Sequence, residues 1–90
     1  MQFEYDSAKS ATNLAKHGID FETAQALWKD VGRAEVRSAD PSEERWLLIA
    51  MLEDRFWTAV YTMRADVIRI ISVRRSRENE VKDYVSREEN

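Results

Sequence analysis

Residues 1–5 alternate polar and aromatic side chains, with Phe3 and Tyr5 on one side, the period of a short strand. The period then lengthens. Ala8, Ala11, Leu14 and Ala15 recur at helical spacing behind Asp6, a natural N-cap, and Lys16-His17-Gly18 ends the run with basic groups and a residue free to turn left-handed. A first helix is predicted over residues 7–17. Asp20 caps a second, with Phe21, Ala24, Leu27 and Trp28 as its apolar stripe and Gly32 as its breaker. From residue 34 the pattern is that of strands: a weak one over 34–38, a turn at Asp40-Pro41-Ser42, then apolar, β-branched runs over 45–52, 56–63 and 67–74. The connectors Asp54-Arg55 and Arg64-Ala65-Asp66 are short enough for hairpins, so the three long strands form an antiparallel meander. Ser76 caps a last helix, with Glu78 and Glu80 at its positive end and Val81, Tyr84 and Val85 on its buried stripe.

The predicted architecture is α+β. A small antiparallel sheet, the three-strand meander plus the short N-terminal strand, packs with two N-terminal helices and one C-terminal helix. If the connectors set the register, Trp57, Tyr61, Arg69, Ile71 and Val73 share one face of the last two strands, and Val60, Ile68 and Ile70 share the other. Helices of this number cover one face well, so Leu47, Ile49, Val60, Ile68 and Ile70 are expected beneath them. The Arg69 face is expected to stay partly open as a partner or substrate surface.

Ninety residues, 43% apolar with three each of Trp, Phe and Tyr, make one domain spanning residues 1–90 with a modest core. There is no cysteine and a single histidine, so disulfides and Cys-based zinc sites are excluded and neither a metal nor a cofactor is expected. The N-terminus lacks a basic segment followed by an apolar stretch, and no apolar run approaches the roughly 20 residues of a membrane span. A cytoplasmic protein is expected. The net charge of -3 argues against a general nucleic-acid coat. Its distribution argues otherwise: residues 64–77 hold five arginines and one acidic residue, Asp66, so positive potential is concentrated there.

Guanidinium groups seek planar, two-pronged contact with carboxylate or phosphate oxygens. Arg69, in mid-strand between isoleucines, must find a partner or reach the sheet edge; it is the preferred transition-state cation, with an internal pair to Glu53 or Glu4 as the competing reading. Arg74 and Arg75 point to opposite faces, so one is expected at a reacting phosphate and the other on flanking backbone. Arg64 and Arg77 are peripheral steering charges, and Tyr61, expected opposite Arg69, either stacks a base or packs in the core. His17 is the natural proton-transfer candidate and Lys16 a phosphate holder or general acid. The alternative for both is a helix-end charge satisfying carbonyls and the dipole.

Several elements occur in order: Phe3-Glu4-Tyr5-Asp6, Lys9, Asn13, Lys16-His17-Gly18-Ile19, Phe21-Glu22, Ala24, Glu44-Arg45, Tyr61-Thr62 and Arg69-Ile70-Ile71-Ser72-Val73-Arg74-Arg75. In this combination the chain resembles the BrnT family of type II toxins. The resemblance implies a RelE-like ribonuclease fold, translation arrest through cleavage of free or ribosome-associated RNA, and neutralisation by a BrnA-like antitoxin in a hetero-oligomer. The chain has Asp6-Ser7 where relatives usually have Asp-Pro, Tyr5 where they have tryptophan, and Ser72-Val73-Arg74 where they have Ser-Ala-Arg. Ala50 and Met51 stand where a glycine is usual. A non-catalytic protein- or nucleic-acid-binding module is the alternative function, and a small metabolic enzyme ranks last because no phosphate loop or nucleophile motif is visible.

Overall fold

The computed structural model describes residues 1–39 and 44–88. The turn expected at Asp40-Pro41-Ser42 lies outside the described residues. Helix α1 (Ser7–His17) has the predicted bounds: the extended Asp6 accepts from the Ala8 and Lys9 backbone N–H groups at 2.8 and 3.2 Å. It ends at Gly18, φ 82°, whose N–H donates to the Leu14 carbonyl. Asp20 caps α2 (Phe21–Ala24) by accepting from the Thr23 N–H, and the chain then tightens into a 3-10 segment, Gln25–Lys29. The whole predicted stripe of Phe21, Ala24, Leu27 and Trp28 is buried.

The strands are β1 (Gln2–Glu4), β2 (Ala34–Arg37), β3 (Trp46–Leu52), β4 (Arg55–Arg64) and β5 (Val67–Arg75), in the order β1-β5-β4-β3-β2. The meander of β3, β4 and β5 is as predicted. Two features correct the predicted sheet. The weak candidate is a full member, β2, antiparallel to β3, and β1 lies parallel to β5, so the sheet is five-stranded and mixed. Periodicity reveals a strand but not its neighbour or direction, which depend on the edges the meander leaves open.

The first hairpin turn lies one residue earlier than expected and the second is one residue shorter. Glu53-Asp54, with φ 51° and 65°, joins β3 to β4, and Ala65, φ 55°, opens the turn from β4 to β5; Arg55 and Arg64 belong to the strands. Left-handed conformations cost non-glycine residues roughly 1–2 kcal/mol each, so these turns are held by the flanking pairs.

The second turn and a bulge together decide the faces. Val60 lies opposite Ser72 but Tyr61 opposite Ile70, leaving Ile71 as the extra residue. The pleat of β5 is therefore shifted across the bulge. Contrary to the sequence expectation, Trp57, Tyr61 and Val73 share their face with Ile68 and Ile70, beneath α1 and α2, whereas Arg69 shares the opposite face with Thr62, Val60 and Leu47. Ile49 is also on that opposite face, in a smaller core with Ala34 and Tyr84.

Helix α3 (Glu78–Glu88) covers only part of that second face. Its cap differs from the prediction: Glu80 Oε1 accepts from the Arg77 N–H at 2.7 Å, as in a capping box, while the Ser76 hydroxyl turns to Thr58 at 2.8 Å. Glu80 and Tyr84, four residues apart, form the buried line of α3. The expected burial of Val85 is corrected by its 40% exposure, because this narrow line leaves it beside the contact.

Candidate functional site

The arginines of β5 separate into three environments. Arg74 is locked. Its Nη1 and Nη2 donate to Glu80 Oε1 and Oε2, both at 2.8 Å, and Glu80 also accepts from the Thr58 hydroxyl at 3.0 Å. Burial would raise the Glu80 carboxyl pKa, but the Arg74, Arg77 N–H and Thr58 donors outweigh it and hold the group at about 2. The Glu80 hydrogen bond in turn raises the pKa of Arg74. For Arg74 the internal ion pair is what the fold uses.

Arg69 is half-exposed and donates from Nη1 to Glu4 Oε2 at 2.8 Å, choosing Glu4 of the two partners considered; Arg64 Nη1 lies 3.6 Å from the same oxygen. Arg75 differs from both. It is exposed, its guanidinium carbon sits 5.5 Å from the centroid of the Trp57 ring, and among the described residues it has no carboxylate partner. Arg77 is exposed just before α3.

Tyr61 does not face Arg69. It lies opposite Ile70 beneath the helices, 5% exposed, edge-on to Trp28 at 5.3 Å. Burial, and secondarily the Glu35 charge, push its phenol up to about 12. The turn is the cause of this departure from expectation: with Arg64 in the strand and opposite Val67, Tyr61 falls opposite Ile70 instead of Arg69.

Lys16 and His17 are exposed in the last turn of α1. Their neighbours follow from how α1 docks. Strand β1 pairs only along Val67 to Arg69, leaving the rest of the outer edge of β5 open. Asn13 closes that edge: its Nδ2 donates to the Val73 carbonyl at 2.9 Å and to the Ile19 carbonyl at 2.7 Å, and its Oδ1 accepts from the Val73 N–H at 3.2 Å. Lys9, one turn earlier, shares a groove with Arg69 and Ile71, so helix and strand run in the same direction. Rises of about 1.5 Å per helical and 3.3 Å per strand residue then bring Lys16 and His17 level with Arg75.

Two grooves result. One, of about 350 Å³, is lined by Gly18, Ile19, Glu53, Arg55 and Trp57, with His17 preceding Gly18 at its edge and Arg75 over Trp57. The other, of about 400 Å³, lies on the opposite face and is lined by Lys9, Glu44, Arg45, Thr62, Arg69 and Ile71. Arg69 and Arg75 are six residues apart on β5, roughly 20 Å, and on opposite faces. The expected convergence of the arginines on one linkage is corrected: Lys16 and His17 lie level with Arg75 along the sheet edge, whereas Arg69 with Arg64 and Arg74 with Glu80 lie elsewhere.

Sequence pattern alone does not mark Arg55 or Trp57 as site residues, and Lys9 and Arg45 enter only through the family resemblance. One signal was present. Lys9, Asn13 and Lys16 fall at i, i+4 and i+7, a polar stripe along α1. Arg55 carried no signal, because it read as a turn residue.

Fold and site together define a small α+β protein whose available cations border open grooves, a chemistry suited to phosphodiester oxygens. The family model described as ribonuclease toxin, BrnT, of type II toxin-antitoxin system matches residues 5–80, and the chain belongs to this family. No curated protein matches the chain. Membership makes it a ribonuclease toxin of a type II system, which implies an antitoxin partner. Among the described residues no helix is long and apolar enough to cross a membrane.

Proposed function

We propose that the protein is a cytoplasmic, metal-independent endoribonuclease of RelE-like fold that arrests translation by cleaving RNA and is neutralised by a BrnA-like antitoxin in a hetero-oligomer. The chemistry is assigned to the groove at the end of α1. The observation that carries this assignment is that Arg75 alone of the β5 arginines lacks a carboxylate among the described residues, and the docking of α1 sets Lys16 and His17 level with it.

Cleavage without a metal needs a proton acceptor for the 2′-hydroxyl, a donor for the departing 5′-oxygen and cations around the phosphorane. His17 takes the 2′-hydroxyl proton. The 2′-oxygen then bonds to phosphorus, the P–O5′ bond breaks, and Lys16 supplies the proton to the 5′-oxygen, leaving a 2′,3′-cyclic phosphate and a 5′-hydroxyl. Arg75, over the Trp57 ring, and Arg55 in the groove stabilise the added negative charge. Arg74 holds α3 to the sheet and so fixes the end of β5 from which Arg75 projects.

Labelled RNA incubated with the purified protein and EDTA, with and without ribosomes, tests this reading. Cleavage to cyclic-phosphate ends is expected, and Arg75→Ala should lose it while keeping the wild-type circular dichroism spectrum. Cleavage no greater than in that variant, or abolished by EDTA, overturns the assignment. The product of a neighbouring antitoxin gene should relieve toxicity on co-expression.

A further inference from the structure

We infer that the second groove, on the sheet face opposite the proposed reaction site, is a holding subsite for single-stranded RNA, in which Lys9 and Arg69 grip a backbone phosphate remote from the linkage that is cut. This inference rests on the ribonuclease reading and extends it to residues outside the chemistry.

Three observations converge on the groove. Lys9 is exposed on the turn of α1 nearest Arg69, and it has no acidic partner among the described residues. Arg69 is not free, but its neutralisation is incomplete: Glu4 is shared between Arg69 at 2.8 Å and Arg64 at 3.6 Å, so two guanidinium groups face one carboxylate. A phosphate beside Arg69 therefore meets residual positive charge, with the guanidinium already oriented by Glu4. Glu44 at the rim is the opposing charge, and the groove still carries Lys9 and Arg69 against it.

The third observation is the bulge. Ile71 is the residue it adds to β5, and the bulge aims it into the groove, where it lies half-buried between the cations. A β-branched side chain there gives the flat face of a base an apolar contact, while Thr62, whose hydroxyl donates to the Glu44 carbonyl at 2.7 Å, keeps an oxygen lone pair for a ribose hydroxyl. Cations flanking one apolar contact are the pattern that holds a strand without reading its sequence.

Helix α1 links the groove to the reaction site. Lys9 and Lys16 are seven residues apart on α1, about two turns and roughly 10 Å along the seam between α1 and β5. An RNA running along that seam passes Lys9 before reaching Lys16 and His17. Loss of the subsite should therefore weaken capture without changing the bond-breaking step.

The test is steady-state cleavage of a 20-nucleotide RNA by wild type, Lys9→Gln and Arg69→Lys at several salt concentrations. Lys9 is on an exposed helical surface, so its variant keeps the fold, and Arg69→Lys keeps the charge facing Glu4. Each variant is expected to raise KM about 3- to 10-fold with kcat retained, and Lys9→Gln to reduce the salt slope of binding by about 1. Active wild type with unchanged KM and salt slope in both variants overturns the subsite and leaves the ribonuclease reading standing. Wild type that neither binds nor cleaves RNA overturns both. If the variants weaken only association with the antitoxin, the groove belongs to the protein partner and the inference is wrong.

Discussion

Arg74 and Arg75 are adjacent in the chain and opposite in circumstance. Arg74 lies on the face shared with α3, in two-pronged contact with a buried carboxylate; Arg75 lies on the face shared with α1, exposed, over an indole and level with a helix end rich in cations. One holds the fold together and the other is available for chemistry. A strand deals successive side chains to opposite faces, so a run of like charge in sequence is divided by the sheet into unlike environments.

The sharpest way to break the comparison is through the histidine level with Arg75. His17→Ala should lower RNA cleavage by about 10²- to 10⁴-fold with little change in melting temperature, measured as initial rates beside thermal denaturation. Retained cleavage moves the proton transfer to another group, with Glu53 in the same groove next to be tested.

On the Arg74 side the effect should fall on stability. Glu80→Ala leaves a guanidinium 22% exposed without its partner and should cost about 3 kcal/mol in urea denaturation, whereas Arg75→Ala should cost less than about 1 kcal/mol. Equal losses in the two variants would erase the distinction.

The same pair predicts a pH dependence. With its folded carboxyl held at about 2 against an ordinary 4.5, Glu80 binds fewer protons in the folded state, so its contribution is complete above about pH 4.5 and disappears as pH falls towards 2. Comparing acid denaturation of wild type and Glu80→Ala isolates it: the difference in stability between them should shrink across that window. A constant difference refutes the linkage.

The smallest effect concerns the helix end itself. Gly18 has φ 82° and open space where a Cβ would sit, so Gly18→Ala should cost about 1 kcal/mol through backbone strain alone. A larger fall in cleavage than in stability would show that the turn also sets the position of Lys16 and His17.

What the sequence determined by itself was local. The bounds of α1, the caps at Asp6 and Asp20, the stripe of α2 and the three long strands were legible because each depends on spacing and on side chains within a few residues. The family was legible too, since its motifs are local and ordered. What tertiary structure decided was which faces those elements share. A two-residue turn at Ala65-Asp66 moved Arg69 away from Tyr61, an extra residue at Ile71 turned Val73 and Arg75 to the face opposite Arg69, and Asn13 bonding to Val73, sixty positions along the chain, set the helix end level with Arg75. Neither the bulge nor that contact leaves a periodic trace, because both arise only when distant segments compete for the same backbone hydrogen bonds and the same side of a sheet.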